Sequence, residues 1–152
     1  MHKWFECKIK YEKNASDGKI TNANESYLVD ALSHAEAENR IIEEMKPFIS
    51  GEFTVDSVRR MRISEMFPNE SGDKWYRCKV FYISLDEEKG IEKKVGVTMM
   101  VQASTVKEAW SNLQEGMKDS MADYEVASIT ETKILDIYHY EVSDNESEPE
   151  KA

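Results

Sequence analysis

Apolar and polar residues alternate from the start of the chain, with Phe5, Cys7, Ile9 and Tyr11 on one parity and Trp4, Glu6, Lys8 and Lys10 on the other. A period of two sends successive side chains to opposite faces, so residues 3–12 predict a half-buried strand with one polar face. The alternation returns over residues 74–85, where Tyr76, Cys78, Val80 and Tyr82 oppose Trp75, Arg77, Lys79 and Phe81. In each half a polar turn, holding Asp17-Gly18 or Lys89-Gly90, leads to a second strand ending near Ala31 or Ala103, which predicts a hairpin with a fairly long loop. The period then lengthens. Ala37, Ile41, Ile42, Met45 and Ile49 recur at helical spacing, as do Val106, Ala109, Trp110, Leu113, Met117 and Met121. Ser33-x-x-Glu36 and Thr105-x-x-Glu108 fit a capping box that satisfies free N–H groups at a helix start, with Ser104 the other candidate cap in the second half. Pro47 predicts a kinked or loosened last turn, and Gly51 marks the end of the first helix. A third strand starts at Phe53 or Tyr124 and runs to about Phe67 or Tyr138.

The two halves match in order. Sliding the chain by 71 residues lays Trp4-Phe5-Glu6-Cys7-Lys8-Ile9-Lys10-Tyr11 on Trp75-Tyr76-Arg77-Cys78-Lys79-Val80-Phe81-Tyr82, and later positions follow with one added residue in the hairpin. The pattern predicts an α+β fold made of two pseudosymmetric ββαβ repeats, with an antiparallel sheet and the helices packed on one face. The repeats take residues 1–70 and 71–142 and are expected to form one compact domain. Residues 143–152 hold no apolar side chain until the final alanine and predict a disordered acidic tail.

Composition bounds the partners. The 152 residues carry 30 Asp and Glu against 20 Lys and Arg, a net charge of −10, which excludes a uniformly basic coat for duplex DNA. That charge is unevenly spread: residues 1–13 carry four lysines against two glutamates, while residues 141–152 carry five acids and one lysine. An apolar content of 40% suffices for a core, and no apolar run approaches the roughly 20 residues of a membrane span. With a charged amphipathic start in place of a signal peptide, the protein is expected to be cytoplasmic.

Chemistry-bearing motifs are few. There is no Gly-rich phosphate loop, Cys-x-x-Cys, His-x-x-x-His or Gly-x-Ser-x-Gly, and His2, His34 and His139 fall in different elements. The expectation is therefore a protein that is not an enzyme, with no cofactor, metal site or catalytic residue. Cys7 and Cys78 share a strand face with apolar residues and read as small core residues rather than a redox pair. The opposite face is more informative, because a tryptophan followed by cations at alternate positions occurs twice. Single-stranded nucleic acid needs rings on which bases stack and cations that track the backbone. Trp4 and Trp75 are the candidate stacking surfaces, with Lys8, Lys10, Arg59, Arg60, Arg62, Arg77 and Lys79 as candidate backbone contacts. The competing reading makes both tryptophans core residues and the cations ordinary protection of exposed strands. The leading expectation is a binding protein for single-stranded nucleic acid. The alternative is a protein-interaction or accessory module, or a homodimer, whose protein partner could engage the acidic tail.

A resemblance covers residues 1–140. Trp4-Phe5-Glu6-Cys7-Lys8, Tyr27-Leu28-Val29-Asp30-Ala31-Leu32, Glu43 through Phe53, Val101-Gln102-Ala103, Glu115-Gly116-Met117-Lys118 and Met121 through Glu125 resemble an uncharacterised family, a domain of unknown function found in gut anaerobic bacteria and their phages and mobile elements. The resemblance implies no activity. It implies a bacterial or phage protein of the cytoplasm, in a replication or mobile-element setting.

Overall fold

The alternating segments form long strands. In the computed structural model, which describes residues 3–14 and 16–139, β1 (Lys3–Asn14) and β2 (Ile20–Ala31) make one hairpin, and β5 (Lys74–Asp86) and β6 (Ile91–Ala103) another. Between and after them come α1 (His34–Met45), β3 (Phe53–Met61), β4 (Glu65–Phe67), α2 (Val106–Gly116), β7 (Asp123–Glu131) and β8 (Ile134–Tyr138). The described residues are thus a mostly stranded mixture of helix and sheet, with two four-stranded sheets ordered β3-β1-β2-β8 and β4-β6-β5-β7. The expected acidic tail lies outside them. No helix among them is long and apolar enough to cross a membrane.

Two features differ from the sequence reading. Each third strand breaks in two, so the element order reads ββαββ where ββαβ was expected. Nor is either sheet wholly antiparallel, because β8 pairs in parallel with β2, and β4 in parallel with β6. The reason lies in the short breaks. At the first, Ser64 donates its N–H to the Thr98 carbonyl at 2.7 Å, which commits the chain to β6. At the second, Thr132 donates both its N–H and its hydroxyl to the Trp75 carbonyl, at 3.0 and 2.7 Å.

The chain accordingly divides into two units. One joins the stretch up to Met61 with the segment beginning at Ile134, and the other runs Arg62–Lys133. A division at residue 70 leaves β4 with the first half in sequence, whereas hydrogen bonding puts it in the second unit.

In the first unit α1 covers the sheet face carrying Phe5, Cys7, Ile9, Tyr27 and Val29, and contributes Ala37, Ile41 and Met45. In the second, Ala109 and Leu113 of α2, with Met117 just beyond it, cover Tyr76, Cys78, Val80, Met99 and Val101. Removing side chains of this size from water contributes about 1.5–3 kcal/mol each, and that gain anchors each helix. The helix starts form as the capping boxes predict. Ser33 and Thr105 accept from the N–H groups of Glu36 and Glu108, whose carboxylates accept from Leu32 and Ser104. The first helix ends at Met45, before Pro47 can distort it. Three residues expected on the buried stripe of the second helix are exposed. Val106 and Trp110 face solvent, and Met121, at 99% exposure, lies past the helix end.

Cys7 and Cys78 are buried free thiols in separate cores. Burial, assisted by Glu6 and Glu38, pushes the Cys7 thiol from 9.0 up to about 12, and burial alone takes Cys78 to about 11. Both thiols are therefore neutral in the folded protein at a pH where unfolded thiols ionise. Their contribution to stability is complete below pH 9.0 and is lost as pH rises toward the folded values. Urea midpoints measured upward from about pH 8 should fall across that window. Iodoacetamide should label neither cysteine until the chain unfolds. A second expectation concerns Gly72, where an added Cβ would sit 2.5–2.7 Å from backbone atoms of Ala103. Gly72→Ala should destabilise the protein by about 1–3 kcal/mol, measured by denaturant unfolding, because backbone cannot step aside as a side chain could.

Candidate functional site

Strand alternation fixes which side chains share the sheet face away from α1. In the first unit Trp4, Glu6, Lys8 and Lys10 occupy it, and the neighbouring strands set their company. Lys8 lies between Ser26 of β2 and Ser57 of β3, and Lys10 between Asn24 and Thr54. Arg59 stands opposite Glu6 on the same face, whereas Arg60, opposite Phe5, has the parity of the helix-covered side. Lys8, Lys10, Arg59 and Arg60 are exposed, and none has a side-chain hydrogen bond or ion pair among the described residues. Trp4 is half-buried and meets the ring of His139 edge-on, with centroids 5.1 Å apart and planes at 81°.

The second unit repeats part of this arrangement. Lys79 lies between Thr98 of β6 and Ser128 of β7, and a register shift follows it as one follows Lys8. Its Nζ stands 5.6 Å from the centroid of Phe81, opposite Gly96. A Cβ on Gly96 would come within 2.9 Å of the Lys79 Cε and Nζ and 3.0 Å of the Phe81 ring, so the missing side chain is what lets both lean there. Arg77, between Met100 and Thr130, is exposed. Arg62, exposed, precedes β4 in this unit and lies outside any strand.

Trp75 corrects the sequence reading. Its ring was expected to offer a stacking surface, yet the residue is only 6% exposed, and a buried ring has no free face for a base. The expected binding residues therefore divide: Lys8, Lys10 and Arg59 are exposed on one sheet face of the first unit, and Arg77 and Lys79 on one of the second, although Leu28 opposite Glu6 and Met100 opposite Arg77 are fully buried on those same faces. Arg60 and Arg62 belong to neither group. The polar faces are also mixed in sign, since Glu6 and Glu12 share β1 with the lysines and Lys94 pairs with Glu125 at 2.9 Å.

A cluster on the helix side of the first unit had no signal in the alternation except a polar residue at a core parity. Glu25 sits there, accepting from the Tyr11 hydroxyl at its Oε2 and from the Tyr27 hydroxyl at its Oε1, each at 3.0 Å. Burial, then the bond to Glu25, raises both phenols above their ordinary range. The ring of Tyr138 lies 5.9 Å from that of Tyr27, and a cavity of about 330 Å³ opens beside them. A larger, open cleft of about 650 Å³ lies at the far end of the hairpin, between Lys10, Asn14 and Asn22 on one side and Glu52 and Thr54 on the other. Among the described residues no group of three His, Cys, Asp or Glu side chains is placed to hold a metal ion.

No curated protein and no solved structure matches this chain. The model of one family, a domain of unknown function (DUF4494), matches residues 3–140, which include every described residue and so the two hairpins, both helices and all eight strands, and this protein is a member of that family.

Proposed function

We propose that this is a non-enzymatic binding protein whose exposed strand cations contact the backbone of single-stranded nucleic acid, in the phage or mobile-element setting that the resemblance implies. One observation carries the reading: in each sheet an exposed lysine without a carboxylate partner stands beside a hydroxyl side chain that is not buried, Lys8 beside Ser57 and Lys79 between Ser128 and Thr98, whereas Ser26 on the other side of Lys8 is buried. An ammonium beside an accessible hydroxyl donor suits a phosphate oxygen, because charge and a directional hydrogen bond then converge on one acceptor. The recurrence of that row, with the same shift after it, also supports reading the chain as a duplicated unit. Trp75 has no part in this version, and Trp4 is engaged with His139, so any base stacking falls to Phe81 beside Lys79.

A second reading rests on a different observation. Beyond the three residues paired with β4, the outer edge of β6 has no strand against it among the described residues, and Ile91 and Val95 are exposed along that stretch. An unpaired edge with apolar side chains invites a strand from a partner protein or a second copy.

Fluorescence anisotropy of a labelled oligo-dT separates the two. The full chain should bind at low salt, and affinity should fall steeply as salt rises. Lys8→Ala combined with Lys79→Ala should flatten the plot of log affinity against log salt by roughly 0.7 for each phosphate that is no longer neutralised. Absence of binding at low salt, both for the full chain and for a chain lacking residues 143–152, would sink the nucleic-acid reading. A complex or dimer seen by sedimentation, indifferent to nuclease and salt and abolished by Val95→Lys, would establish the second.

A further inference from the structure

We propose that the tyrosine-lined cavity of the first unit binds a small organic cation carrying a methylated ammonium group. The site is independent of the face carrying Lys8 and Lys10, since the hairpin register sends Tyr11, Glu25 and Tyr27 to the side that α1 covers.

Charge is the first argument. Glu25 uses both carboxylate oxygens to accept from tyrosine hydroxyls, an arrangement that holds the anion but supplies no opposite charge. Asp136 lines the same cavity, and its Oδ1 accepts from the Ile137 N–H. Neither carboxylate is paired with a lysine or arginine among the described residues. Burial, then the negative charges of Asp136, Glu44 and Glu25, raises the Tyr138 hydroxyl above its ordinary range. An occupant with positive charge would offset this accumulation.

The lining of the cavity also suits a cation. Tyr11, Tyr27 and Tyr138 line the cavity together with Met45, Ile49 and Phe48, the last 75% exposed at its mouth. Ring faces carry negative quadrupole potential and attract cations, most effectively when the cation is partly out of water. A bare ammonium ion is strongly hydrated and resists that transfer. Methyl groups weaken its hydration and present apolar surface to the rings. The volume of about 330 Å³ lies at the small end of ligand cavities, which suits a compact head group.

The second unit supplies an internal comparison. Where Ile9 faces Glu25 and Cys7 faces Tyr27, Val80 faces Val97 and Cys78 faces Met99. There the ring of Phe67 approaches Gly116 of α2 so closely that an added Cβ would lie 2.6 Å from it. At these two positions the second unit thus has Val97 and Met99 where the first has Glu25 and Tyr27.

The test uses choline chloride as the probe, titrated into the full chain and followed by amide NMR at constant ionic strength with sodium chloride as the control. Saturable shifts are expected at Glu25, Tyr27 and Tyr138. The uncharged carbon isostere 3,3-dimethyl-1-butanol should bind at least tenfold more weakly. Glu25→Gln removes the charge but leaves one acceptor oxygen for two tyrosine hydroxyls, and Asp136→Asn removes the charge at the rim; each should weaken choline by about tenfold, with thermal unfolding unchanged for Asp136→Asn. If Glu25→Gln fails to fold, Asp136→Asn decides. Equal binding of the isostere would reduce the site to an apolar crevice and overturn the proposal, as would the absence of any saturable shift with choline.

Discussion

The register of the two long hairpins is the constraint on which the rest depends. β1 faces β2 without a break from Lys3 opposite Ala31 to Asn14 opposite Ile20, and β5 faces β6 in the same manner from Lys74 to Asp86. A slip of one residue would turn every side chain to the other face. The cysteines and Ile9 would then meet water, and the lysines would meet the helix. Burial of one parity under α1 or α2 forbids that slip, and so it also fixes, without any further interaction, which cations share a surface and which carboxylate reaches the tyrosines.

Much of this can be read from the residues in order. Alternation predicts the hairpins and their faces, the capping boxes place both helix starts, and Gly51 adopts the positive φ of +108° that a terminating glycine permits. Alternation does not say whether a face is covered. Trp75 and Lys79 have the same parity on one strand, yet the first is buried and the second exposed. Nor does it choose a strand's partner. Glu65-Met66-Phe67 could extend β3 or join another strand, and only the hydrogen bond from Ser64 to Thr98 and the parallel pairing with β6 resolve it. Those choices arise between residues far apart in sequence, where local pattern carries no information.

Glu25 shows how one polar residue at a core position redirects its surroundings. A carboxylate there requires donors, and Tyr11 and Tyr27 supply them from the adjacent and the same strand. The aromatic rings that solve the hydrogen-bonding problem are bulky and rigid, so the end of α1 and strand β8 close over them incompletely. The second unit, with valine and methionine at the matching register, needs no such donors and fills its core with Phe67.

The pairing of β8 with β2 also sets an order of events during synthesis. The second unit is one continuous stretch, Arg62–Lys133, whereas the first unit must wait for the segment that starts at Ile134. Residues Ser26 through Val29 therefore spend the making of about a hundred further residues with one edge unpaired. At roughly 5–20 residues per second that interval lasts several seconds. The half of the protein that leaves the ribosome first is the half that finishes last, and its waiting strand edge is where a nascent-chain chaperone would have the longest opportunity to act.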